Sequence, residues 1–221
     1  MSLAESIAHW SEHQVADLPL DITAEQSLAS MELRNATYPG LLELMPIDQP
    51  GKVVLDFGCG PGHDVVGFLL SGAKYVYAYD VSPKARAMTL ARVQAHGFEN
   101  CTVGMIPAAM DYDHIHCAGV LHHIPEPHET LKLMRALLKP DGEIRLMVYS
   151  SESDFYLNVA EGVPSVFARM ADGDAPITVA WTQEEVVALA RLADLEAEYL
   201  GGYMHQGEEK GPGLSSCWRL T

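Results

Sequence analysis

The sequence predicts an α/β fold: a doubly wound, mostly parallel seven-stranded sheet with helices on both faces and a C-terminal antiparallel hairpin. Three observations predict it. From residue 52 onward, short β-branched runs alternate with helical segments, the pattern of a parallel sheet. The first run ends in three alternating glycines that open a helix. Two β-like runs close the chain, joined by the Gly-rich, charged segment Gln206–Gly213, which suits an antiparallel pair.

The elements follow in order. In the N-terminal 45 residues, Leu3, Ile7 and Trp10 fall on one helical stripe. Thr23 with Gln26 has the spacing of a capping box and opens a second helix toward Arg34, punctuated by Pro39-Gly40 and Pro46. Strands are expected at Lys52–Phe57, Lys74–Asp80, Cys101–Ile106, His114–Val120 and Glu143–Tyr149. Between them, Asp64–Leu70 reads as a helix stopped by Gly72. Ser82 caps a helix with Pro83 at its first position, ending at Gly97. Glu129–Leu138 is the next helix, and Lys139–Gly142 a turn. Thr182 with Glu185 starts another, to about Ala193, before the closing runs Glu196–Tyr203 and Leu214–Leu220. Residues 1–45 read as a helical cover and residues 46–221 as the main domain. An irregular insertion at about 151–176 follows the fifth strand, near the edge where ligands bind such sheets.

Composition narrows the function. The 221 residues carry 14 Lys+Arg against 30 Asp+Glu, a formal charge of −16, with 48% hydrophobic residues. That is enough apolar material for one core, and the wrong sign for a nucleic-acid binder or an anionic membrane surface. Four scattered cysteines (Cys59, Cys101, Cys117, Cys217), with no CxxC and no signal peptide, fit free thiols in a reducing cytoplasm. No apolar run approaches a membrane span. A small-molecule substrate is expected.

The chemistry concentrates at Val53-Val54-Leu55-Asp56-Phe57-Gly58-Cys59-Gly60-Pro61-Gly62. Glycines there let the backbone turn and approach a ligand. Asp80, at the end of the second strand, can accept both hydroxyls of a ribose. A nicotinamide-dependent oxidoreductase is the alternative. Against it, the third glycine comes one residue early for a pyrophosphate loop, Asp56 would repel a pyrophosphate, and no Tyr-x-x-x-Lys pair occurs. A non-catalytic cofactor-binding module is the other alternative, but no motif looks eroded.

The stretches VLDFGCGPG, YAYDVS, CAGVLHHI and LLKPDGE together resemble the class I S-adenosylmethionine-dependent methyltransferases, within their small-molecule subgroup, over about residues 50–150. The resemblance implies a Rossmann-like methyltransferase fold, S-adenosylmethionine as cofactor and S-adenosylhomocysteine as product. It implies a cofactor site made of Asp56, Phe57, Gly58, Cys59, Gly60, Pro61, Gly62, Asp80, Val81, Ser82, Met105, Ile106, Val120 and Leu121. Asp56, Gly58 and Gly60 would line the methionine moiety, Asp80 the ribose, and Val81 the adenine. Family members often place an acid after the third strand to bond adenine; here Met105-Ile106-Pro107-Ala108-Ala109-Met110 has none, leaving backbone and apolar packing. The segment Cys117-Ala118-Gly119-Val120 lacks the Asn/Asp-Pro-Pro-aromatic signature of enzymes that methylate bases or glutamine.

His122 and His123, just past the fourth strand, are the candidate catalytic bases for O- or N-methylation, a base being needed chiefly for a hydroxyl acceptor. Arg34, Tyr38, Tyr149, Tyr203 and His205 are the candidate substrate contacts. No HExxH occurs; His114 and His116 alternate on a strand, and no metal is expected. The N-terminal helix offers a surface for pairing two subunits into a homodimer.

Overall fold

The computed structural model describes residues 3–13, 16–38, 40–105, 111–153, 179–203 and 215–221. Three helices come first: α1 (Leu3–Glu12), α2 (Ala24–Thr37) and the one-turn α3 (Leu41–Leu44). Then come β1 (Val53–Phe57), α4 (His63–Leu70), β2 (Tyr75–Tyr79), α5 (Pro83–Ala95), β3 (Cys101–Gly104) and β4 (Tyr112–Ala118). After a 3-10 turn at Leu121–His123 follow α6 (Pro127–Leu137), β5 (Leu138–Tyr149), α7 (Gln183–Arg191), β6 (Ala197–Tyr203) and β7 (Ser215–Leu220).

The seven strands form one sheet in the order β3-β2-β1-β4-β5-β7-β6. Strands β1 to β5 pair in parallel, and β7 runs antiparallel between β5 and β6. The order reverses between β1 and β4, so a crevice opens at their carboxyl ends, where such sheets bind ligands. Alternation along β1 feeds two cores. Val54 packs with Val65, Phe68 and Val93 on the α4/α5 face. Leu55 and Phe57 pack with Leu131, Met134 and Val186 on the α6/α7 face.

The expected caps are present. The Thr23 hydroxyl accepts the Gln26 N–H while Gln26 Oε1 accepts the Thr23 N–H, and Thr182 with Glu185 repeats the arrangement. Helix α4 ends with Gly72 at φ +88, its N–H donating to Leu69 O while Ala73 N–H donates to Phe68 O. These bonds satisfy carbonyls that a helix end otherwise leaves open.

Four elements differ from expectation. Strand β4 starts at Tyr112 and ends at Ala118, because Tyr112 is fully buried against Leu138 and Gly119 turns the chain at φ +77. Strand β5 starts at Leu138, and the expected turn Lys139–Gly142 is an excursion inside it: pairing steps from Tyr112–Leu138 to His114–Glu143. A Cβ on Gly142 would lie 2.9 Å from Tyr112 O, so the excursion closes only on glycine. Strand β3 ends at Gly104, leaving Met105 exposed, and helix α3 was not foreseen. Most of the insertion expected at 151–176, and the connection Gln206–Gly213, lie outside the described residues. No described helix is long and apolar enough to cross a membrane.

Candidate active site

The loop after β1 is shaped by its glycines. Gly58 and Cys59 both donate N–H to Tyr79 O, at 2.8 and 2.9 Å, which turns the chain over the end of β2. Gly58 sits at φ +83, and a Cβ there would meet Val120 Cγ2 at 2.3 Å. Gly60, at φ +51, has nothing within 4 Å of where a Cβ would stand, so its face is open for a ligand to approach. Asp80 ties the loop down. Its Oδ2 accepts the Gly60 N–H at 2.9 Å and its Oδ1 accepts the Ser82 N–H at 2.7 Å. Each oxygen keeps a lone pair for a ribose hydroxyl. Burial raises the Asp80 carboxyl above its ordinary range, against the pull of those two N–H groups.

Gly62 begins α4 at φ +82, where a Cβ would lie 2.8 Å from Thr89 Oγ1 and 3.1 Å from Thr89 Cα on α5. Gly62→Ala is therefore expected to cost about 1–3 kcal/mol, combining a left-handed backbone with overpacking, and to lower the urea midpoint without changing the slope.

Beneath the loop lies a buried charged group. Asp56 is 2% exposed, its Oδ2 unpaired among the described residues. Burial pushes its carboxyl up to about 7. Arg34 of α2 pairs with Asp64 in the first turn of α4, and His116 Nε2 of β4 lies 3.4 Å from the other Asp64 oxygen. The Arg34 guanidinium and His116 hold Asp64 below the usual carboxylate range despite its burial. His63 Nε2 and the Ser30 hydroxyl are 2.9 Å apart, and burial drops the imidazole to about 3, so it is neutral.

Beyond β4, aromatic and imidazole rings gather. His122 is fully buried and stacks on Tyr149 at 3.8 Å between ring centroids. Its Nδ1 accepts the Tyr149 N–H at 3.3 Å, so in the neutral ring the proton sits on Nε2. Burial, then His123, hold the imidazole well below its ordinary pKa. His123 lies 4.3 Å from His122 and 4.7 Å from Trp10 of α1. Burial, then Tyr38, push the Tyr149 phenol up to about 12.

The expected residues thus divide. Gly58, Gly60, Asp80 and Val120 come together: Val120 packs over Gly58, and Asp80 holds the Gly60 N–H. The side chains of Phe57, Cys59, Ser82 and Leu121 are buried. Phe57 and Leu121 are core, Cys59 Sγ lies 3.6 Å from Thr89 Oγ1, and Ser82 caps α5. The reason is the period of the strand, which turns Phe57 inward, and the helix start, which draws in Ser82. Pro61 offers its carbonyl to Arg92 Nη1 at 3.4 Å. Arg34 is engaged by Asp64 rather than aimed at an open surface. Tyr149, His122 and His123 come together, with Tyr38 in electrostatic reach of Tyr149. Ile106, His205 and the Tyr203 side chain lie outside the described residues. Sequence reading missed Asp64, His116, Arg92 and Trp10. Only the alternation of His114 and His116 signalled that two imidazoles share a face. It also missed that His9 of α1 and His13, just past its end, stack at 4.4 Å between ring centroids. Among the described residues, no three His, Cys, Asp or Glu side chains are placed to hold a metal ion.

A glycine cradle, a ribose-ready carboxylate and a buried unpaired acid at a sheet's switch point define a nucleoside-cofactor enzyme of the Rossmann-like type. Comparison with known proteins specifies it. The methyltransferase-domain family profile matches residues 31–189, and the chain belongs to that family: it is an S-adenosylmethionine-dependent methyltransferase. The family assignment sets aside the nicotinamide alternative.

Among its relatives is the ubiquinone biosynthesis O-methyltransferase of Dechloromonas aromatica (strain RCB), 28% identical over 162 residues, 71% of this chain and 69% of that protein. Another is a tRNA U34 carboxymethyltransferase of Idiomarina loihiensis, 29% identical over 115 residues, 48% of this chain and 36% of that protein. Magnesium protoporphyrin IX methyltransferase from Synechocystis PCC 6803, solved with S-adenosylhomocysteine bound, shares the fold. Its TM-score is 0.59 at 17% identity, over 98% of this chain and 92% of that one. Kinship therefore gives the reaction class and leaves the acceptor to the site.

Proposed function

We propose that the protein methylates a hydroxyl of a small organic molecule, and that the acceptor lies among Tyr38, Tyr149, His123 and Trp10. The observation that carries this reading is the ring cluster at the carboxyl ends of β4 and β5, beside the glycine loop. Flat aromatic walls hold a small acceptor by apolar area and stacking. A formal charge of −16 opposes a polyanionic acceptor, and the kinship with a ubiquinone biosynthesis O-methyltransferase agrees with a small hydroxylated one. Four cysteines without a disulfide among them fit the cytoplasm as the compartment.

S-adenosylmethionine supplies a methyl group on a positively charged sulfur, open to in-line displacement by a nucleophile. The chain supplies position and charge. Asp80 and the Gly60 backbone hold the cofactor end of the crevice. Alignment of the acceptor contributes on the order of 7–11 kcal/mol when the reacting atoms are held in near-attack geometry. His122 is fully buried with Nδ1 taken by the Tyr149 N–H, so it acts as a positioning residue behind Tyr149 and His123 rather than as a contact to the acceptor. The base role passes to His123.

His123→Ala is accordingly expected to lower kcat by about 10²–10⁴, leaving S-adenosylhomocysteine affinity within twofold of wild type. Transfer of labelled methyl to a panel of phenols, catechols and amines, with bulk tRNA alongside, tests the reading. Label on tRNA and on none of the small molecules would overturn it.

A further inference from the structure

Asp56 and His116 face each other across the β1–β4 ladder. The strands pair in parallel with Asp56 opposite His116 and Val54 opposite His114. Partners in a parallel ladder share a face, so both side chains project to the α4 side from neighbouring strands, whose backbones run about 4.8 Å apart. Both are shut from water, at 2% and 1% exposure. Each keeps a buried polar atom without a hydrogen-bond partner among the described residues: Asp56 Oδ2 and His116 Nδ1. Buried polar atoms without partners are costly, and a cation seated nearby offsets that cost at Asp56. On its far side, His116 Nε2 lies 3.4 Å from Asp64 Oδ2, and the other Asp64 oxygen pairs with Arg34. A row of ionisable groups therefore runs Arg34, Asp64, His116, Asp56, from α2 through α4 and β4 to β1, ending beneath the glycine loop.

We propose that this chain of groups sets the protonation of Asp56 and couples it to the cofactor: seating a cation over the glycine loop drives a proton from Asp56 to solvent. His116, Asp64 and Arg34 are positioning residues in this scheme. At 2% exposure Asp56 acts on the cofactor through its field rather than through open contact. The inference rests on S-adenosylmethionine, which carries sulfonium and ammonium charges, as the ligand of the loop.

The charged surroundings of Asp56 agree. Burial raises its carboxyl to about 7; His116 opposes that most, Asp64 adds to it, Arg34 opposes it and Asp80 adds to it. The neighbouring thiols of Cys59, Cys101 and Cys117 are all pushed up by burial and stay protonated, adding no charge. His63 on α4 is neutral. The sign follows. Near pH 7 the free protein holds part of a proton on Asp56, a nearby cation favours the carboxylate, and binding releases that proton. Affinity strengthens as pH rises through about 7 and levels off above it.

Calorimetric titration of S-adenosylmethionine and S-adenosylhomocysteine from pH 6 to pH 8.5, in buffers of differing protonation enthalpy, counts the protons. The expected result is release of about half a proton per cofactor at pH 7, absent in Asp56→Asn. In His116→Gln the midpoint should move up, since His116 is the group that most opposes the effect of burial on Asp56. Binding without proton release, or a His116→Gln profile that superimposes on wild type, overturns the inference. Absence of binding strikes the cofactor assignment instead. If His116→Gln does not fold, the 13C carboxyl signal of Asp56 in wild-type protein decides. A midpoint near 7 that disappears with cofactor supports the coupling, and a midpoint near 4 overturns it.

Discussion

Asp80→Ala is expected to weaken S-adenosylhomocysteine binding by about two to three orders of magnitude while the protein stays folded. Two effects add. The carboxylate is the acceptor placed for the ribose hydroxyls, and hydrogen bonds to a charged group are worth about 1.5–3 kcal/mol each. The same carboxylate holds the Gly60 N–H at 2.9 Å and the Ser82 N–H at 2.7 Å, so its loss also frees the loop that must meet the cofactor. Asp80→Asn should fall between, because one amide oxygen can keep one N–H while the amide NH₂ opposes the other. Calorimetry measures both variants, with circular dichroism as the check on folding. An Asp80→Ala affinity within threefold of wild type would remove Asp80 from the cofactor grip.

Arg92→Ala is expected to cost about 3–5 kcal/mol of stability, read as a fall in the urea midpoint. Arg92 is fully buried in α5. Its Nε donates to the Ser27 hydroxyl at 3.0 Å, its Nη2 to Ser27 O at 2.7 Å, and its Nη1 to Pro61 O at 3.4 Å. Burial, then Arg34, bring its pKa down to about 10, so it remains charged at neutral pH. Truncation leaves two buried carbonyls and a hydroxyl without their donor, and a hole where the side chain stood. Because Pro61 belongs to the glycine loop and Ser27 to α2, the same change should loosen the N-terminal helices and weaken cofactor binding together. A stability loss under 1 kcal/mol would show that water or a rearranged side chain replaces these bonds.

Much of the site was legible because its signals are local. Three glycines directly after a β-branched run specify a turn that only they tolerate, and the structure places all three at positive φ. Asp80 was legible because a strand end fixes where its carboxylate stands. The capping boxes at Thr23 and Thr182 are contained within four residues each. What was not legible joins residues distant in the chain. His122 read as a base from its position past β4, yet Tyr149, 27 residues on, supplies the N–H that fixes its tautomer. Arg34 read as a substrate contact, yet α2 packs so that Asp64 meets it first. Phe57 and Leu121 sat inside recognisable motifs, and only the packing showed that both side chains belong to the core under α6 and α7.

By itself, then, the sequence determined the alternation of strands and helices, the glycine turn, the carboxylate at the end of β2 and the reaction class those motifs carry. Each depends on backbone preferences spanning a few residues. The tertiary structure alone decided that β7 lies between β5 and β6, that Asp56 stands opposite His116, and that Arg92 bridges α2 to the loop. Strand register and helix docking are chosen by which apolar faces can be buried together, and that choice then fixes which polar groups become neighbours.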